Sequence, residues 1–317
     1  MEDFTIVITE PIHEAGVELL RSEGVEIVEM TPGSDYKDLC EVAPRADVLI
    51  SRGGIDITEE ILRKSNLKAV GVHGIGYDHI DVKAAEDLGK IVFNTPDALT
   101  VSVAEMTIAL MLSLLRRVVK ADRAVRGREW HRKYGDLVGT ELQGKTVGLI
   151  GMGRIGEATA RRLVPFNVDI LYNDIIRKEE LEEELDIRFR DIDEVIIKSD
   201  ILSLHVPATP ATRHLIDAER IQRMRCGVYI INTSRGQVID TEALLDALNS
   251  GRVAGAALDV FEEEPLPDGH PLIDKGDVIL TPHLSASSTE AMKRMSIQVV
   301  EGVLKVLREQ APDNRVV

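Results

Sequence analysis

Short runs of branched aliphatic residues alternate with amphipathic stretches along nearly the whole chain. A first series of such runs covers residues 4–9, 25–29, 47–50, 69–72 and 91–94, each of strand length and too short for a buried helix. Between them, residues 13–22, 58–65 and 83–88 carry apolar positions at helical spacing. A second series covers 146–150, 169–172, 201–204, 228–232, 254–258 and 278–280. Strands that alternate with helices need crossover connections, which are right-handed and cover both faces of a parallel sheet. The pattern predicts an α/β protein with two doubly wound parallel sheets.

The two series part at Asn94-Thr95-Pro96-Asp97. The spacing then predicts one long helix over residues 101–127, with Val103, Thr107, Leu110 and Leu114 on one face and Arg116, Arg117, Lys120 and Arg123 at its end. That helix is more apolar than one domain needs, which points to a homodimer contact through it. A last helix is predicted over 288–308. It does not extend the second sheet and is expected to return to the first domain. The expected organisation is one domain of residues 1–98 completed by 286–317, and another of residues 99–285. A chain that crosses twice between domains makes a hinge over a cleft.

Aromatic residues are 3% of the chain against 44% hydrophobic, so Val, Ile, Leu and Ala must fill the cores, as in buried parallel strands. The net charge of −16 argues against nucleic-acid or anionic-membrane partners, because their phosphates would be repelled. An anionic substrate would then need locally placed arginines. Cys40 and Cys226 lie far apart with no metal-ligand spacing, so no disulfide framework and no metal are expected, and a reducing cytoplasm is the simplest location. The acidic start, Met1-Glu2-Asp3, does not read as a secretion signal. The most apolar helix, residues 103–115, contains Glu105 and is too short to span a bilayer.

Thr146-Val147-Gly148-Leu149-Ile150 runs into Gly151-Met152-Gly153-Arg154-Ile155-Gly156, and a helical stretch over 157–163 follows. Gly151 permits the tight turn, Gly153 lets the backbone approach a pyrophosphate, and Gly156 lets helix and strand pack closely. The helix N-terminus offers unpaired N–H groups to the phosphates. Asp174 ends the next strand, where a carboxylate accepts hydrogen bonds from ribose hydroxyls. A 2′-phosphate would meet like charge there, so NAD is expected over NADP, with Arg177 and Lys178 close enough to soften the preference.

Hydride transfer to a 2-oxo acid also needs a cation for the substrate carboxylate and an acid for the carbonyl oxygen. Imidazole suits the acid, since its unperturbed pKa of about 6.5 serves both directions. Here the sequence resembles the D-isomer-specific 2-hydroxyacid dehydrogenase family, which includes phosphoglycerate dehydrogenase and glyoxylate/hydroxypyruvate reductase. The resemblance covers nearly the whole chain. It rests on Val147 to Gly156, Leu204-His205-Val206-Pro207 with Thr212, Asn232-Thr233-Ser234-Arg235-Gly236, Ala257 to Pro265, and Thr281-Pro282-His283.

The resemblance implies a Rossmann NAD domain and a flavodoxin-like substrate domain. It makes Arg235 the grip on the substrate carboxylate, through a planar fork suited to bidentate binding. His283 becomes the general acid/base and Glu264 the partner that favours the protonated imidazole. Glu262 and Glu263 then read as solvated neighbours. The implied cofactor residues are Gly151, Gly153, Arg154, Ile155, Gly156, Asp174, His205, Val206, Pro207, Thr212, Thr233, Ser234 and Asp259, the last near the nicotinamide carboxamide. Substrate contacts are expected from Arg52, Gly53, Gly54, Ile75, Gly76 and Arg235, the glycine loops acting as anion-binding nests. His73, His79, His131 and His214 read as surface or packing residues.

The implied activity is an NAD-dependent D-2-hydroxyacid dehydrogenase for a small acid of the 3-phosphoglycerate or hydroxypyruvate/glyoxylate type. Arg52 is a candidate for a distal phosphate, yet no dense basic cluster flanks the substrate loops. The alternative is an NAD-binding corepressor of the same fold with little or no turnover. Such proteins usually carry disordered tails, and none is expected of this chain.

Overall fold

The computed structural model describes residues 4–317 apart from Ser65. Residues 1–3, and Ser65 at the end of one expected helix, lie outside the described residues. The chain divides into two compact units, Met1–Thr100 with Ala286–Val317, and Val101–Ser285.

In the first unit, β1 (Thr5–Ile8), β2 (Glu26–Glu29), β3 (Val48–Ser51), β4 (Ala69–Val72) and β5 (Ile91–Phe93) form a parallel sheet in the order β2-β1-β3-β4-β5. The inner strands β3 and β4 are buried at every position, while the edge strand β2 is partly exposed. Burial on both faces is why the inner strands read as unbroken aliphatic runs. The C-terminal helix Thr289–Leu307 starts at a Ser288 cap that accepts from the Ala291 N–H. Its Val299 and Val303 join Ile6, Ile8 and Phe93 in one apolar cluster. Gly71 and Gly302 make room for the Phe93 ring, where a Cβ at either position would stand 2.7 or 2.3 Å from it.

In the second unit, β6 (Thr146–Ile150), β7 (Asp169–Asn173), β8 (Arg188–Phe189), β9 (Ile201–Leu204), β10 (Val228–Asn232), β11 (Val253–Leu258) and β12 (Val278–Leu280) are also all parallel. Their order is β12-β11-β10-β9-β6-β7-β8. The winding reverses between β6 and β9, and in open α/β sheets that switch point lies beside the ligand crevice. The two-residue β8 escapes sequence reading because two positions cannot display a period.

The single helix expected over 101–127 is two helices, Thr100–Leu115 and Val118–Arg126. Arg117 breaks it in a left-handed conformation, φ +53°. Its guanidinium donates to Asp277 Oδ1 at 2.6 Å and to the Val138 carbonyl at 3.1 Å. The left-handed backbone costs an arginine about 1–2 kcal/mol, which these charge-assisted bonds offset. Among the described residues, no helix is long and apolar enough to cross a membrane, and no cluster of three or more His, Cys, Asp or Glu could hold a metal.

Candidate active site

The glycine loop after β6 has the clearances a dinucleotide needs. Gly151 sits at φ +96°, and a Cβ there would come 2.5 Å from the His205 carbonyl oxygen. A Cβ on Gly156 would lie 2.1 Å from the Gly151 oxygen. Around Gly153, in contrast, no heavy atom stands within 4 Å of a Cβ. Gly153 also caps the helix Arg154–Leu163 without a side chain, which leaves the amides of that first turn to an anion. The residues therefore fit NAD: Gly153, Arg154 and Ile155 would hold its pyrophosphate.

Asp174 follows β7 and reaches back to this loop, with Oδ2 accepting from the Met152 N–H at 2.5 Å and Oδ1 from Ile176 at 3.1 Å. The two cations nearby are held by carboxylates. Arg177 donates to both oxygens of Glu182, at 2.8 and 3.0 Å, and Lys178 to Glu157 at 3.0 Å. A 2′-phosphate would have to compete with those pairs.

The other expected cofactor residues are ordered by one another. Thr212 donates to the Pro207 carbonyl at 2.6 Å and accepts from Thr209, closing the turn that follows His205 and Val206. Burial pushes the His205 imidazole down to about 4, so it is neutral, and its Nε2 meets Ser203 Oγ at 3.0 Å. Asn232, which sequence reasoning left without a role, is buried at the end of β10. Its Oδ1 accepts from the Ser234 amide and hydroxyl, and its Nδ2 donates to the Arg235 carbonyl at 2.9 Å. Thr233 Oγ1 meets Thr107 Oγ1 at 2.8 Å, so the turn carrying Arg235 is fixed from two sides.

His283 and Glu264 come together: Nδ1 lies 2.7 Å from Oε2. Glu264 Oε1 also accepts from the Phe261 N–H at 2.9 Å. Burial pushes the Glu264 carboxyl up, but the His283 bond, the Phe261 amide and the Arg235 charge outweigh it and hold the group below the usual carboxylate range. The carboxylate stays ionised, fixes the ring and leaves Nε2 for proton exchange with a substrate. His283 itself is at φ +49°, a sparsely populated conformation for a non-glycine residue.

Asp259 holds that conformation in place. It is 1% exposed, and its carboxylate accepts from Thr281 Oγ1 at 2.5 Å, Leu284 N at 3.0 Å and Ser285 N at 2.8 Å. Its carbonyl accepts from the His283 N–H at 2.8 Å. Both carboxylate oxygens thus serve the His283 loop, a job that the expected contact with the carboxamide does not convey.

Glu262 is not a solvated neighbour. Its Oε2 meets His214 Nε2 at 2.8 Å and its Oε1 accepts from the Thr241 N–H at 2.9 Å. His214 is accordingly a partner and not a bystander. Glu263 is exposed, as expected.

In the first unit, the Arg52–Gly54 loop already holds a carboxylate of this chain. Glu10 Oε2 accepts from the Arg52 N–H at 3.0 Å and Oε1 from Gly54 at 2.5 Å, while Gly53 donates to Ser51 Oγ. Amides that converge on Glu10 are arranged for an anion. The Arg52 guanidinium donates to the Pro11 carbonyl at 2.7 Å and lies against the Met292 sulfur. The loop at Ile75 and Gly76 is tied by Asn94, whose Nδ2 donates to the Ile75 carbonyl at 2.8 Å. His73 is buried and neutral, pushed down to about 4 by burial and by Arg52.

Residues 108–285 match a family described as D-isomer specific 2-hydroxyacid dehydrogenase, NAD binding domain. A glyoxylate reductase of Thermofilum pendens is 47% identical over 250 residues, 78% of this chain and 74% of that protein. A D-3-phosphoglycerate dehydrogenase of Methanocaldococcus jannaschii is 42% identical over 98% of this chain, which spans only 58% of that protein's length. A hydroxypyruvate reductase of Thermotoga maritima is 39% identical over 97% of this chain and 99% of its own. Among solved structures, the TT0316 protein of Thermus thermophilus superposes with a TM-score of 0.91 at 35% identity, covering 99% of this chain and 100% of the other. An NAD-dependent formate dehydrogenase of Staphylococcus aureus in complex with NAD gives 0.89 at 31% identity, over 99% of each chain.

Proposed function

This chain belongs to the D-isomer specific 2-hydroxyacid dehydrogenase family, and on that premise we propose that it reduces a small 2-oxo acid of the glyoxylate or hydroxypyruvate type to the 2-hydroxy acid, of D configuration where C2 is a stereocentre. The observation that carries the proposal is the 2.7 Å pair of His283 and Glu264, in the same unit as the glycine loop and Arg235. NAD, when bound, supplies or takes the hydride. Arg235 holds the substrate carboxylate, His283 gives the carbonyl oxygen its proton, and Glu264 fixes the ring for that transfer. Residues 99–285 serve as the NAD-binding domain, and 1–98 with 286–317 as the substrate domain. Arg52, Gly53, Gly54, Ile75 and Gly76 are its candidates for substrate contact.

An unphosphorylated substrate is favoured because Arg52, the cation nominated for a distal phosphate, is committed to Pro11. A relative matched along 99% of its own length is also named a hydroxypyruvate reductase. The test is a panel of glyoxylate, hydroxypyruvate and phosphohydroxypyruvate, assayed with NADH and NADPH. The first two acids should give the higher kcat/KM, and NADH should exceed NADPH because of Asp174. A preference for the phosphorylated acid would move the reading to phosphoglycerate chemistry, and no turnover of any acid would remove it.

The working form is a homodimer in a reducing cytoplasm, with no nucleic-acid or membrane partner, in keeping with the charge of −16 and two free thiols. The apolar surface for it is not one long helix. It lies on Val118, Val125, Trp130, Tyr134 and Val138, all more than half exposed, from the second helix onward. Sedimentation equilibrium should give twice the chain mass, falling toward one chain for Trp130→Glu; a monomeric wild type would refute the dimer.

A further inference from the structure

We infer that Glu262, held by His214, is a positioning residue that clamps the segment from which Glu264 reaches His283. This rests on the dehydrogenase reading above. Glu262 stands two residues before Glu264, and its two carboxylate oxygens are divided between distant segments: His214 Nε2 at 2.8 Å and the Thr241 N–H at 2.9 Å. Its carbonyl accepts from Gln237 Nε2 at 3.4 Å. The same backbone lies hard against Gly236, where a Cβ would come 1.8 Å from the Phe261 carbonyl carbon. Gly236 and Gln237 directly follow Arg235, so the clamp also ties the Glu264 segment to the arginine turn.

Apolar packing anchors this segment at Phe261, which lies against the core, and leaves Glu262 beside a gap. Beside it is a cavity of about 150 Å³, lined by Ile239, Leu244, Leu258, Phe261, Leu266 and Leu272. Close-packed interiors fix their side chains by contact on all sides, and a segment beside a void lacks that support. Beyond Phe261, polar bonds set its position. His214 is placed for the task at a conformational cost, with φ +48° and its N–H bonded to the Gln237 carbonyl at 2.8 Å. Burial pushes the Glu262 carboxyl up, but the bonds from His214 and Thr241 keep it below the usual range, so the clamp is an anion between two donors.

The experiment is a double-mutant cycle of Glu262→Ala and Glu264→Ala, reading kcat and the KM for NADH with hydroxypyruvate as substrate. A misplacement of about 1 Å at a reacting group costs up to roughly 10²-fold, so Glu262→Ala should lower kcat about 10–100-fold and leave the KM for NADH unchanged. In the Glu264→Ala background the same change should cost less than about threefold, because no pair remains to be placed. Glu262→Gln, which retains one acceptor, should recover part of the loss. Should Glu262→Ala not fold, His214→Ala takes its place in the cycle. A full loss carried into the Glu264→Ala background, or a loss confined to the KM for NADH, overturns the clamp. Wild-type turnover separates the two failures: if the wild type reduces no 2-oxo acid, the dehydrogenase reading falls and the clamp with it.

Discussion

His283→Ala is expected to lower kcat by about 10²–10⁴-fold, the usual scale for losing a positioned general acid. The structure spends several bonds on this one ring. Its Nδ1 is taken by Glu264, its backbone is pinned in a left-handed conformation, and a buried aspartate holds the loop on either side. Only Nε2 is left for chemistry. The ring lies outside the glycine loop, so NADH affinity, read by fluorescence titration, should change little. Near-normal turnover would remove His283 from the reaction.

Arg235→Lys should be the second largest effect. Lysine keeps the positive charge that helps hold Glu264 ionised, so the substitution isolates the loss of the fork. A hydrogen bond to a charged group contributes about 1.5–3 kcal/mol, and about 1.4 kcal/mol is a factor of ten. Losing one of two bonds to the substrate carboxylate should therefore reduce kcat/KM for the 2-oxo acid roughly 10–100-fold. The KM for NADH should not follow. An unchanged kcat/KM would refute bidentate capture, and an equal loss in NADH binding would show that the Thr233–Arg235 turn had collapsed instead.

The strands were legible because burial on both faces turns them into aliphatic runs, and β4, β6, β9, β10 and β12 begin and end where the pattern puts them. The kink at Arg117 was not legible. Arginine is a good helix former, no Gly or Pro marks the spot, and the residue that bends the chain, Asp277, is 160 positions away. The glycine loop announced itself because its context is local: strand, turn, helix and the next strand's acidic end. The tuning of the site is not local. Nothing in the run Glu262-Glu263-Glu264 says that the first is bound to His214, the second exposed and the third bound to His283. Asn232 and Asp259 likewise reveal their work only when the strand ends are brought side by side.

The most direct measurement is the configuration of the product when hydroxypyruvate is reduced by NADH, resolved on a chiral column and counted against NADH consumed. One D-glycerate per NADH is the predicted result. The L-isomer, or no NADH consumption with any 2-oxo acid at saturating concentration, would contradict it.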